Sequence, residues 1–558
     1  MTAMNDTPET ANQEGEIENC LNGVRELLSQ GAGGDAEDAA RRHLQTFPGS
    51  FRLSKALAVT LMLQGKFAEC LDLLQELHAE RPGDADVTIN LAKAHLELKD
   101  HQSAEQVLAG AEGLDAAALL SRCLIEGKEL DRADAVLDKA LAEFGAHPQL
   151  LVDRSAIAIH RADAAAFGYL DQAEQGLAQM PEAMRAAFRQ MIRKNRALAA
   201  LELDRLDQAR SFASGLGPDD AEYLLARIDC GGRKYEAAIQ RQLNVYGRQP
   251  TGAQALFLAQ LYLASGDYSA AWPYWERRDA KPAAAVGIAE WKGEPLAGKR
   301  ILAAVEQGTG DVMQFGRYLS LLADRGAEIQ CPMFDELQLL FETSFPDICF
   351  DSVDPGGPGF DFQVPLLSVP AILNLDAEAA ILTRSPYLMV APEATNKWKQ
   401  TLPTGTNIGV CWKGNPENYN DRRRSIHQLD PLKNLIETTP ANFVSLQWPA
   451  TDMDQFAGLR DEGRFYDYAH LRQNFGDTAA LVSALDGVLT VDTSIAHLAG
   501  AIGETAAVVN PFDPDWRWSG LGPDWYGDWI ASFRQPAPGD WPSVLNDAHA
   551  WLAQRLNC

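Results

Sequence analysis

The chain has 558 residues, an apolar fraction of 46% and a formal net charge of -28, from 77 acidic against 49 basic residues. That length exceeds one hydrophobic core, and so acidic a chain argues against a nucleic-acid or anionic-membrane partner. The eight cysteines are scattered singly, no uncharged run could span a bilayer, and the first fifteen residues lack basic and apolar signal regions. The sequence therefore predicts a soluble protein of the reducing cytoplasm with no membrane insertion.

Residues 1–15 are polar and acidic and are expected to be disordered. From 16 to 280 the sequence predicts helix after helix, with apolar residues at three- and four-residue spacing, as in Leu53, Leu57 and Leu61. Several turns share one pattern: a turn residue, a large residue two later, and a small one three beyond that. Gly65-Phe67-Cys70 and Gly266-Tyr268-Ala271 are the clearest. Lys99-His101-Ala104, Lys128-Leu130-Ala133, Asp204-Leu206-Ala209 and Arg233-Tyr235-Ala238 follow it more loosely. Their starting positions are separated by 34, 29, 76, 29 and 33 residues. A period near 34 resembles the tetratricopeptide repeat, which predicts an all-α solenoid of stacked hairpins. A generic helical bundle is the other reading of the same pattern.

Residues 281–299, with Trp291 and Pro295, are expected to be a linker. Beyond Gly298 short β-branched runs alternate with helical stretches. Strands are predicted at Ile301–Val305, Ile408–Trp412, Phe443–Leu446, Gly487–Val491 and Ala506–Val509. Strand-helix alternation means parallel sheets covered on both faces, here two Rossmann-like lobes over 300–404 and 405–558. Ligands of such folds sit at the carboxyl ends of the strands.

Four segments at those ends carry candidate chemistry. In Glu306-Gln307-Gly308-Thr309-Gly310-Asp311, glycines allow a ligand close to the backbone, and Asp311 is either a general base or a helix cap. Trp412-Lys413-Gly414-Asn415 and Asp421-Arg422-Arg423-Arg424-Ser425 form the densest basic run of this half. They are a phosphate site or a solvated face. In Asp492-Thr493-Ser494-Ile495-Ala496-His497 a strand end meets a helix N-terminus, which suits an anion, with His497 one turn on. Capping and packing account for the same residues. The aromatics Trp516 and Trp518 are candidates to flank a base or sugar in the cleft, or to plug a lobe interface.

As a set, these motifs resemble the bacterial tetratricopeptide proteins whose C-terminal region is similar to lipopolysaccharide heptosyltransferases. The set comprises Trp-x-Gly-Glu-Pro-Leu from Trp291, the Gly-x-Gly-Asp loop, Trp-x-Gly-Asn-Pro, Asp-Arg-Arg-Arg-Ser, Asp-Thr-Ser-Ile-Ala-His and Pro-Phe-x-Pro-Asp-Trp-Arg-Trp. The resemblance covers about Trp291 to the end and the two-part layout. It implies a GT-B fold after the solenoid, with an acceptor-side lobe over 300–404 and a nucleotide-sugar lobe over 405–558. It also implies an inverting, metal-independent glycosyltransferase whose nucleotide-sugar is a co-substrate and which needs no cofactor. Asp311 falls on that family's base, and Asp492, Thr493 and His497 on its donor motif. Lys413, Asn415, Arg422, Arg424, Ser425 and Ser494 join them as expected donor contacts. The chain departs from the pattern at Thr309, where an apolar residue is usual.

The layout is also similar to tetratricopeptide glycosyltransferases that modify flagellins in alphaproteobacteria. That similarity implies a flagellin acceptor held by the repeats and a donor such as CMP-pseudaminic acid or a related nonulosonic acid. Other expectations are an envelope-glycan transferase and a non-catalytic scaffold. The basic and acidic site residues together in one chain argue against the scaffold, and the lack of a basic docking segment against the envelope enzyme.

Overall fold

In the computed structural model, the described residues are 11–279, 281, 282, 284–354, 359–376, 379, 386–416, 418, 420–521 and 525–556. The chain divides into two compact units, one through Asp220 and one from Ala221. Among the described residues, sixteen α-helices precede the first strand. The N-terminal half is thus an all-helical, tetratricopeptide-like solenoid, and the C-terminal region carries parallel sheets. No helix among the described residues is long and apolar enough to cross a membrane.

The turn pattern has a local physical cause. Gly65, Lys99, Lys128, Asp204, Arg233 and Gly266 all adopt positive φ, between 54° and 88°. After each, the next residue donates its N–H to the carbonyl five residues back, as Lys66 does to Leu61 at 3.0 Å and Arg205 to Ala200 at 2.8 Å. That is the Schellman close of a helix, which satisfies carbonyls the helix end leaves open. The small residue five positions after each turn is fully buried at Cys70, Ala104, Ala133, Ala209, Ala238 and Ala271. A larger side chain there would push the paired helices apart. Ala162 makes the same turn at φ 48°, and Asp163 donates to Ala158 at 2.8 Å. The 76-residue gap therefore holds one more turn, at intervals of 34 and 42. It carries neither glycine nor the aromatic, which hid it from sequence reading.

One expected boundary moves. Helix begins at Ala11 and runs to Ser29, because Ile17, Leu21 and Val24 form a buried stripe; residues 1–10 lie outside the described residues. The last helix before the first strand is Tyr268–Trp275, while the compact units divide at Asp220. The helices Pro218–Gly231, Tyr235–Arg248, Gly252–Ser265 and Tyr268–Trp275 share the second unit's core, with Tyr268, Trp272 and Trp275 in one cluster with Ile301, Phe315 and Leu366. Trp272 and Trp275 each donate an indole N–H to a carbonyl of that region, Leu375 at 2.6 Å and Leu367 at 2.9 Å.

The second unit holds two all-parallel sheets. The first, in the order β1-β4-β2-β3, comprises β1 (Ala289–Glu290), β2 (Arg300–Ala304), β3 (Glu328–Gln330) and β4 (Phe362–Pro365). β1 lies inside the expected linker: its two residues pair with β4, and Trp291 is buried, so Ala289–Trp291 is built into the sheet's edge. The second sheet runs β10-β9-β8-β5-β6-β7. Its strands are β5 (Asn407–Cys411), β6 (Asn442–Ser445), β7 (Phe465–Asp467), β8 (Gly487–Val491), β9 (Ala506–Asn510) and β10 (Ile530–Arg534). β5, β8 and β9 are buried at every residue, which is why they read as apolar runs.

Each sheet has one point where the winding reverses. The chain leaves β5 toward β6 and β7, then returns to lay β8 on the other side of β5. It leaves β2 toward β3, then lays β4 on β2's other side. Crevices open at the carboxyl ends of such strand pairs. The loops after β2, β5 and β8 are those that carry the candidate motifs.

Candidate functional site

A cavity of about 1310 Å³ lies at these strand ends. Asp311, Lys413, Asn415, Arg424, Asp492, Thr493, Ser494, His497 and Trp516 line it. Arg422, Ser425 and Trp518 do not. Motifs separated by just over 200 positions thus meet at one opening.

Asp311 is the third residue of the helix Thr309–Phe315, whose N-cap is Gly308. One carboxylate oxygen accepts the Gly308 N–H at 3.0 Å. The other is paired with Arg517. Asp311 is therefore a capping residue and a cavity residue at once. Gln307, at the tip of the loop, sits at φ 64°, a conformation found with unusual frequency at functional sites. Gly310 lines the cavity and also has a packing task. A Cβ there would lie 3.0 Å from the His497 ring and 3.5 Å from the Ser494 Cα, so its bareness lets this helix rest on Ser494–Ile502.

The loop after β5 is held by Ser425. Its hydroxyl accepts the Gly414 N–H at 2.9 Å and donates to Asp421 at 2.8 Å. Buried to 1%, Ser425 shapes the loop from behind rather than facing the cavity. Asp421–Arg424 is a single helical turn, and the Arg424 guanidinium crosses the face of Gly414, where a Cβ would meet it at 2.6 Å. One turn cannot aim three consecutive arginines the same way. Arg424 faces the cavity, while Arg423 lies 3.5 Å from Asp513. Lys413 pairs with Asp452 at 2.6 Å, and that ammonium holds the Asp452 carboxyl below the usual range.

After β8, Thr493 is the N-cap of Ser494–Ile502 and accepts the Ile495 N–H at 3.3 Å. Asp492 is buried and accepts the Trp518 indole N–H at 2.8 Å; burial, with Asp515 nearby, raises its pKa to about 6. His497 stacks on Trp518 with centroids 5.5 Å apart, and its Nδ1 lies 2.8 Å from the Tyr526 hydroxyl. Burial and the cations Arg517, Arg317 and Arg424 hold it well below the usual imidazole range. His497 is thus a neutral hydrogen-bonding group and not a cation. Trp518 supports Asp492 and His497. Trp516 packs with Trp275, Tyr268 and Trp525 at centroid distances of 6.2, 6.4 and 5.9 Å.

Sequence reasoning missed several cavity residues. Arg517 stands between the two motif aromatics. It pairs with Asp311, and with Asp515 at 2.9 Å, and donates to Gln314 at 2.6 Å. Burial opposes its charge, but Asp515 and Asp311 outweigh that and raise its pKa. Its signal was a lone arginine in an aromatic motif beside two aspartates. Arg472 donates to the Leu446 and Gln447 carbonyls at 3.2 and 3.0 Å, and its Nε has no partner among the described residues. Leu256 and Gln260, on the helix Gly252–Ser265, also line the cavity, and nothing in a helical repeat pattern marks them.

Residues 61–114 match the tetratricopeptide repeat family. The chain carries tetratricopeptide repeats. It is also similar to protein FlbA of Caulobacter vibrioides, at 26% identity over 345 residues, 55% of this chain and 56% of that protein. The chain thus spans about half the length of that relative. Solved structures similar to it include a tetratricopeptide repeat protein from Parabacteroides merdae, at 15% identity and a TM-score of 0.33, covering 41% of this chain and 92% of that one. Another is the human IFIT1 dimer with m7Gppp-AAAA, at 14% identity and a TM-score of 0.34, covering 47% and 71%.

Proposed function

We propose that this protein transfers a sugar from a nucleotide-sugar to a Ser or Thr hydroxyl of a protein acceptor, using the second unit as a GT-B transferase of two Rossmann-like lobes. The observation that carries this reading is one cavity in which a carboxylate from the first sheet's switch point meets anion-binding groups from the second's. Ligand pockets usually enclose roughly 300–1,000 Å³. A volume of about 1310 Å³ accommodates a donor together with part of an acceptor.

In the proposed step an acceptor hydroxyl oxygen attacks the anomeric carbon. The bond from that carbon to the phosphate oxygen breaks, and its electron pair leaves with the nucleotide. The hydroxyl proton passes to Asp311, whose oxygens retain lone pairs beside those held by Gly308 and Arg517. The charge gathering on the phosphate is met by Lys413, by Arg424 and by the N–H groups at Thr493–Ser494. Neutral His497 donates or accepts a hydrogen bond there without adding charge. The motif resemblance supports inversion without a metal. It also supports flagellin as acceptor, a CMP-activated nonulosonic acid such as pseudaminic acid as donor, and a cytoplasmic setting.

Mass spectrometry of flagellin from cells with and without this protein tests the reading, and the glycan mass is expected to vanish in the deletion. Asp311→Asn should lower transfer by roughly 10²–10⁴-fold, the usual contribution of a general base, with nucleotide affinity retained. Transfer within about tenfold of the wild type, roughly 1.4 kcal/mol, assigns Asp311 to the cap alone.

A further inference from the structure

The second unit's helices do more than join the sheets to a repeat array. Gly252–Ser265 places Leu256 and Gln260, four residues apart and so on one face, in the wall of the cavity. Both are half-buried. Trp275, from the following helix, lines the same side beside Gln307 and Gly308. This wall is fixed to the first sheet. Buried Arg278, just past that helix, donates to Glu306 at the end of β2 at 3.1 Å and to the Ser368 hydroxyl at 3.0 Å.

The cavity is chemically two-sided. Lys413 and Arg424 line it from the loop after β5, where an anionic leaving group finds its charge. The helical wall offers an aliphatic side chain and an amide, and Glu336 is the further charged residue from the first sheet's side besides Asp311. Gln260 makes no side-chain hydrogen bond among the described residues. An amide both donates and accepts, which matches the alternating C=O and N–H of an extended backbone. The wall's helices supply no cation for a nucleotide's phosphates, and their aliphatic and amide groups suit a polypeptide.

We infer that Leu256 and Gln260 form the acceptor-peptide subsite. They seat the backbone and side chains that flank the reacting hydroxyl beside Asp311, and so set acceptor specificity. This rests on the transferase reading above and assigns part of the active site to a helix of repeat type.

The test uses the full chain, CMP-pseudaminic acid and flagellin purified from a strain deleted for this protein. Gln260→Ala and Leu256→Ala should each raise the KM for flagellin about fivefold or more, an interaction made on binding rather than in the transition state. Affinity for CMP, titrated separately, should stay within about twofold. Because Leu256→Ala trims a partly packed side chain, the Gln260 variant, which removes no hydrogen bond among the described residues, guards against a folding effect. Unchanged KM in both variants, or a loss of CMP affinity instead, overturns the subsite while leaving the transferase reading intact. A wild-type chain that binds CMP but modifies no flagellin sinks the reading and the subsite with it.

Discussion

The two compact units solve the same problem, burying an apolar face, in different ways. Through Asp220 the core is divided into small clusters, each made by helices close in sequence, such as Leu150, Leu137 and Ile157 or Ala92, Leu96 and Leu108. From Ala221 onward one cluster runs from Tyr235 to Tyr526, collecting residues almost 300 positions apart. Polar groups follow the same division. Arg132 pairs with Glu105 and Glu129 while 55% exposed, whereas the Arg278 side chain is fully buried on Glu306. Solenoids couple each hairpin to its neighbours, so such a unit can lengthen without rearranging. A cavity that brings a carboxylate and several cations together requires the non-local kind of core. The candidate chemistry accordingly lies where distant segments converge.

The severest way to break this comparison is to cut the chain. A fragment beginning near Pro218 should fold and bind CMP, while one beginning at residue 282 should aggregate. The second cut removes Tyr268, Trp272 and Trp275 from a continuous core. Circular dichroism and gel filtration of both fragments decide it, and a well-folded 282–558 would make those helices an appendage.

Single ion pairs sharpen the contrast. Arg278→Met leaves buried Glu306 without its partner, and should destabilise the second unit by about 3–5 kcal/mol. Arg132→Met should leave the denaturation midpoint unchanged, because exposed pairs are screened and contribute little. Comparable losses from both would refute the division between local and buried charge.

His497 should give the second unit an acid sensitivity. Its folded pKa lies well below the 6.5 of the unfolded chain. Between those values the unfolded state binds the extra proton, so stability falls as pH drops through about 6.5. His497→Gln should flatten the fall in thermal midpoint between pH 7 and pH 5. Asp492 acts with the opposite sign: burial raises its pKa to about 6, so its contribution is lost as pH rises through that value. Parallel pH curves for wild type and His497→Gln would mean the imidazole titrates alike in the folded and unfolded chain.

The smallest expected effect is at a helix cap. Thr493→Ala removes the bond to Ile495 and should lower stability by about 1 kcal/mol, with weaker CMP binding in the same variant. A stability loss without any change in CMP affinity would make Thr493 a cap only.

Much of this architecture could be read from residues close together in the chain. A turn residue, a large one and a buried small one mark each hairpin because the Schellman close and helix contact are local events. The central strands β5, β6, β8 and β9 were legible because burial on both faces demands apolar runs, and β2 because its apolar run leads into the glycine loop. β1, β3, β4, β7 and β10 were not, since a short or edge strand such as Ile530–Arg534 keeps polar residues and draws its pairing from neighbours. Gly-x-Gly-Asp and Asp-Thr-Ser pointed to strand ends by themselves. Only the tertiary structure decided that Arg517 grips Asp311, that Arg424 and not Ser425 faces the cavity, and that Leu256 and Gln260 line it. Those facts depend on where a side chain points once sheets and helices have packed, and no periodicity in one dimension records that.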